Sequence, residues 1–132
     1  MMSRTKVLSV GQCGFDSASI ERLFEQEFSA DVESVDSPRE AVERLKSGQF
    51  QLVLVNRRLD GDGSSGIELL DRLQAASPEV PKMLISDRAD AQAEAVAKGA
   101  LPGFGKAELR ARETAEKVRA ALGQRDDAAA PR

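Results

Sequence analysis

The sequence predicts an α/β fold, a single doubly wound parallel sheet with helices on both faces, and three observations predict it. Short apolar runs and helix-period stretches follow one another five times in strand-then-helix order. The run Leu52-Val53-Leu54-Val55 is continuously aliphatic, which suits a strand buried on both faces in the middle of a parallel sheet. Directly after it come Asn56, two arginines and a Gly/Asp/Ser loop, and then a helix opening at Ser65 with Glu68 in capping-box position. Ligands of such sheets sit beyond the carboxyl ends of the strands, so the chemistry of Asn56 bounds what the domain can do. It is an amide.

Taken in order, Lys6–Val10 reads as the first strand and ends in the loop Gly11-Gln12-Cys13-Gly14. Asp16 or Ser17 is placed to cap a helix whose apolar face is Ile20, Leu23, Phe24 and Phe28. Val32–Val35 is a short second strand, expected near a sheet edge. Ser37-Pro38-Arg39-Glu40 combines a Ser N-cap, Pro at the first helical position and Glu two further on; the helix buries Ala41, Val42 and Leu45 and stops at Gly48. The helix after the third strand turns Ile67, Leu70 and Leu73 inward and ends before Ser77-Pro78. Lys82–Ser86 is a fourth strand, followed by an alanine-rich helix from about Ala89 to Lys98 that Gly99 stops. Leu101-Pro102-Gly103-Phe104-Gly105 makes a poor strand, placed at an edge by its proline. Leu109, Ala115, Val118 and Leu122 mark a last amphipathic helix. One domain over residues 1–123 is expected, with 124–132 a disordered tail lacking core-forming residues.

Composition removes several function classes. The 132 residues are 41% apolar and 31% charged, ordinary for a globular domain. No apolar run approaches the roughly 20 residues of a membrane span, and the start lacks a signal-peptide core, so a cytoplasmic protein without membrane contact is expected. Histidine is absent, which excludes Ser-His-Asp and Cys-His catalysis and His-ligated metals. The single cysteine, Cys13, excludes an internal disulfide and a structural zinc site. A net charge of −3, scattered arginines and the lack of Trp and Tyr argue against nucleic acid.

The order of these pieces resembles the receiver domain of bacterial two-component response regulators over about residues 5 to 122. Gln51-Leu52-Val53-Leu54-Val55-Asn56 resembles the family's third strand, Gly66-Ile67-Glu68-Leu69-Leu70 its following helix start, and Ala95-Val96-Ala97-Lys98-Gly99-Ala100 the approach to its last strand. Ser86 and Lys106 match the residues that end its fourth and fifth strands. The resemblance implies a flavodoxin-like (βα)5 fold with strand order 2-1-3-4-5. It also implies what the positions ought to hold: an acidic pair at Gly11 and Gln12, a phosphoaccepting aspartate at Asn56, a switch aromatic at Gly103 and a proline at Ala107. The loop after the third strand is about two residues longer than the family's usual one. An amide is a far poorer nucleophile than a carboxylate, and Mg²⁺ seeks carboxylate oxygens that Gly11, Gln12 and Asn56 do not offer. Phosphoryl transfer depends on that metal to neutralise developing charge. The expectation is therefore an atypical receiver, independent of phosphorylation and of Mg²⁺, with no cofactor and no enzymatic activity, acting on a protein partner. With those acidic positions empty, Lys106 leaves the pocket neutral to positive. An anion held by Ser86 and Lys106, or local pairing of both with Asn56 and the backbone, are the two readings of that pair.

Other features carry rival readings. Cys13 in a Gly-flanked loop, at a helix start and near Lys106, is in surroundings that favour a reactive thiolate, so a redox sensor or thiol enzyme is the alternative; the bland reading is a small semi-buried residue. Asp60-Gly61-Asp62-Gly63-Ser64 begins like a calcium loop, but Ser65 and Asp71 stand where that loop needs Gly and Glu, leaving a solvated turn. No aromatics flank a flavin site. The alanine-rich fourth helix, with Ala91, Ala93, Ala95 and Ala97, lets a partner approach closely, and the resemblance points to the face made by that helix, the fifth strand and the last helix for partners or a homodimer.

Overall fold

The computed structural model describes residues 5–123, and the expected tail lies outside the described residues. Among them, β1 (Thr5–Val10), β2 (Ala30–Val35), β3 (Leu52–Asn56), β4 (Lys82–Ile85) and β5 (Leu101–Phe104) form one parallel sheet in the order β2-β1-β3-β4-β5. The connecting helices are α1 (Gly14–Phe28), α2 (Pro38–Ser47), α3 (Gly66–Ala76), α4 (Ala89–Ala97) and α5 (Arg112–Leu122), with a 3₁₀ turn at Lys106–Glu108. This is the flavodoxin-like fold expected, with β2 and β5 at the edges.

The period of two in β3 divides the core. Leu52 and Leu54, with Val7, Met83, Ile85 and Phe104, pack under α1 and α5 through Ile20, Phe24, Phe28 and Val118. Val53 and Val55, with Leu8, Val10 and Leu84, pack under α2, α3 and α4 through Leu45, Leu70, Leu73, Ala91 and Ala95. Each fully buried aliphatic contributes about 1.5–3 kcal/mol, so a strand apolar on both faces belongs at the centre. Arg44 on α2 makes a bidentate pair with Glu33 on edge strand β2.

The helix starts show how local chemistry sets the boundaries. Ser37 caps α2, its Oγ accepting from Glu40 N–H at 3.2 Å, with Pro38 at the first helical position. Ser65 caps α3 in the same way, accepting from Glu68 N–H at 3.2 Å. At α1 the expectation needs correction. The N-cap is Cys13, whose Sγ accepts from Asp16 N–H at 3.5 Å, so the helix begins earlier and Asp16 lies within its first turn. The thiol is the weaker acceptor; it holds this position because β1 ends at Val10 and the chain turns through Gly11 at once.

Candidate functional site

The carboxyl ends of β1 and β3 bring Gly11, Gln12 and Asn56 together, in an arrangement unsuited to a cation. Gly11 sits at φ +77°, a backbone conformation that disfavours any side chain. Its carbonyl accepts two hydrogen bonds, from Asn56 Nδ2 at 3.0 Å and from the Asp60 backbone N–H at 2.9 Å. Donors converge where a Mg²⁺ site needs oxygens. Leu59, buried to 1% exposure, fills the remaining space. A Cβ on residue 11 would lie 2.4 Å from Leu59 Cγ. Gln12 is buried, with its Nε2 turned back to Val10 O at 3.4 Å and its Oε1 without a hydrogen-bond partner among the described residues. Among the described residues no three acidic, His or Cys side chains gather as a metal site. The residues present do not fit Mg²⁺.

Leu59 reaches this position because the longer β3–α3 loop folds as a small inward hairpin. Arg58 and Ser65 form an antiparallel bridge, Leu59 N–H donates to Ser64 O at 2.9 Å, and Gly63 N–H to Leu59 O at 2.8 Å. Asp62 closes the tip: its carboxylate accepts from Ser64 N–H at 2.8 Å and from the Ser64 hydroxyl, which holds it below the usual range. The Asp/Gly stretch is therefore a side-chain-closed turn. Sequence reading singled out its length but not Leu59; the signal available was one apolar residue inside an otherwise polar loop.

Lys106 and Ser86 are in place at the strand ends but do not bond to Asn56. Lys106 Nζ pairs with Asp16 Oδ2 at 2.7 Å, and that hydrogen bond lowers the Asp16 carboxyl below its ordinary value against the opposing effect of burial. The expected local pairing with Asn56 is thus corrected: the cation has a carboxylate within reach on α1, and a neutral amide cannot compete with it. Ser86 Oγ accepts from Arg88 N–H at 3.1 Å and so shapes the start of α4. Above both lies an open cleft of about 420 Å³ lined by Asn56, Arg57, Arg58, Asp60, Ser86, Asp87, Arg88 and Lys106. Arg88 pairs with Asp90 at 2.9 Å, and Lys106 with Asp16. Arg57 and Arg58 add two further cations, so the lining itself carries four cations against the two carboxylates Asp60 and Asp87, and Asp90 and Asp16 outside it pair with two of them.

Cys13 is half-buried, and its thiol donates to Asp16 Oδ2 at 3.2 Å, in the same small network as Lys106. Gly103 lies in β5 with its main chain hydrogen-bonded by side chains from α4 and α5. On the β5–α5 side, Met83, Leu101, Pro102, Ala120 and Ala121 line an apolar groove of about 330 Å³. Leu101 is partly exposed there. No helix among the described residues is long and apolar enough to cross a membrane.

Comparisons with known proteins agree with this architecture. The sequence matches the family model described as the response regulator receiver domain over residues 16–107. No curated protein matches it. Among solved structures, it is similar to a CheY-like receiver domain protein from Methanospirillum hungatei, with 21% identity, TM-score 0.77, and coverage of 92% of this chain and 95% of that one. It is also similar to a response regulator from Burkholderia pseudomallei with a phosphorylated aspartic acid and calcium, at 18% identity and TM-score 0.68, covering 88% and 71%. A third is the beryllofluoride-activated NtrC4 receiver domain dimer, at 21% identity and TM-score 0.75, covering 89% and 96%. With the fold and the family model in agreement over most of its length, the chain belongs to the response regulator receiver domain family.

Proposed function

We propose that this receiver domain signals without accepting a phosphoryl group and without Mg²⁺, acting in the cytoplasm as a binding module for another signalling protein and not as an enzyme. The observation that carries this reading is the Gly11 carbonyl, which receives N–H groups from Asn56 and Asp60 while Leu59 occupies the adjoining space. A phosphoacceptor needs a carboxylate nucleophile and a cation beside it. An amide donating into a carbonyl under an apolar side chain supplies neither.

The partner surface in this reading is the α4–β5–α5 face. Support comes from the apolar groove beside partly exposed Leu101 and from Ala93 and Ala97 on the exposed side of α4, whereas Ala91 and Ala95 face the core and are not available to a partner. The NtrC4 receiver domain is a dimer, and a homodimer through the same face is the form of this reading that needs no second protein. Ser86 and Lys106 serve here as local structure, through the α4 start and the Asp16 pair, rather than as anion ligands. The network around Cys13 supports a capping role and not redox chemistry.

The test is incubation of the chain with acetyl phosphate and Mg²⁺ followed by intact mass spectrometry. The unmodified mass is expected. A gain of about 80 Da, the mass of one phosphoryl group, at an alkali-labile site overturns the reading. Light scattering after size exclusion, with and without those reagents, is expected to give one unchanged oligomeric state.

A further inference from the structure

The β5 strand departs from an even ladder, and the departure falls on Gly103. Pairing runs from Met83↔Leu101 to Ile85↔Phe104, so β5 takes three steps where β4 takes two. Without the slip, Gly103 would oppose Ile85 and Phe104 would turn toward α4. With it, Phe104 is buried in the core under α1 and α5, beside Ile85. The extra residue interrupts the ladder and leaves main-chain groups that need other partners.

Side chains from both flanking helices provide them. Gln92 of α4 donates through Nε2 to Leu84 O at 2.9 Å and to Ser86 O at 3.0 Å, while its Oε1 accepts from Gly103 N–H at 3.0 Å. Lys117 of α5 donates through Nζ to Gly103 O at 2.9 Å. The ladder resumes with Ser86 N–H donating to Phe104 O at 2.9 Å. A Cβ at position 103 would lie 2.1 Å from Leu84 O, so the close approach requires glycine.

We propose that Gln92 and Lys117 form a two-sided clamp on the Gly103 main chain, which holds α4, β5 and α5 in a single conformation. The Gln92 carboxamide does the work of the missing strand-to-strand link, and Lys117 ties the same residue to α5. The consequence for signalling rests on the reading that the protein works without phosphorylation: a face held in one shape is readable by its partner at all times.

Amide hydrogen exchange on the full chain tests the clamp. In Gln92→Ala, the Gly103 amide is expected to exchange at least about tenfold faster, the order expected for one lost hydrogen bond, with β1 and β3 amides unchanged. Lys117→Met keeps the aliphatic stem and is expected to shift the Gly103 and Phe104 resonances without moving those of β1. Relaxation dispersion on the unsubstituted chain is expected to show no millisecond exchange at Gly103, Phe104 or along α4. Unchanged Gly103 exchange in Gln92→Ala, acceleration spread evenly over the sheet, or millisecond exchange in the unsubstituted chain each overturns the clamp. A phosphorylated product in the acetyl phosphate experiment would instead remove the functional reading and leave the clamp standing.

Discussion

Asn56, Gly11 and Leu59 act as one unit, although only the first two were singled out by sequence reading. Replacing a fully buried leucine by alanine removes its transfer free energy and leaves a cavity, so Leu59→Ala is expected to cost about 2–4 kcal/mol in urea unfolding. Gly11→Asp is destabilising through its left-handed backbone and through collision with Leu59. In the Leu59→Ala background the collision is relieved, so its cost there is expected to be smaller by about 1 kcal/mol or more, read as the coupling term of a double-mutant cycle. Equal costs in the two backgrounds would mean that Leu59 does not fill that space. At the neighbouring ion pair, Lys106 holds the Asp16 carboxyl low. A depressed carboxyl stabilises fully above its unfolded value near 3.9 and loses that contribution as pH falls through the folded value. Acid unfolding monitored by circular dichroism is therefore expected to be shallower below about pH 4 in Asp16→Asn than in the unsubstituted chain.

At the level of elements, helix starts and the β5 slip obey different rules. The α2 start is local: a serine oxygen, a proline and a glutamate within four consecutive residues. Ser37→Ala is expected to lower stability by about 1 kcal/mol, measured as a shift in urea midpoint at constant slope. The α1 start is also local but uses a thiol where Asp16 or Ser17 offered better acceptors, because the end of β1 determines where the helix must begin. The β5 slip is not local at all. It places Phe104 in a core built from β1, β3, β4, α1 and α5, and that burial outweighs an even ladder. Gly103→Ala, a single added methyl, is expected to destabilise by about 1–3 kcal/mol through its contact with Leu84 O. A neutral result would show that β5 can return to an even register.

Over the whole molecule, the two cores were readable from period alone, since β3 alternates between them and each helix brings one apolar stripe. A buried lysine was not. Lys82 opens β4 with its Nζ donating to Gln74 Oε1 at 2.6 Å and to Ser77 O at the end of α3. In sequence it reads as a charged residue at a strand start, the kind usually left in water. Burial lowers its pKa, against the opposing charge of Glu79. Between that lowered folded value and the unfolded value near 10.4, the unfolded chain binds more protons, so stability rises with pH. Lys82→Met is expected to flatten this alkaline slope in denaturation midpoints measured from pH 7 to about pH 10.

Legible from the chain alone were the class of fold, the succession of its elements, two of the three helix caps in question, and the absence of carboxylates at positions 11, 12 and 56. Those are properties of residue type and short spacing, and no neighbour distant in the chain can alter them. Folding alone brought Leu59 into the space beside Gly11, turned Lys106 to Asp16, left the cleft lined by four cations and two carboxylates, and slipped β5 by one residue at Gly103. Each of these is a competition between partners brought together by folding, an apolar side chain against solvent, a carboxylate against an amide, a buried phenyl ring against an even ladder. Its outcome depends on distances that no local pattern encodes.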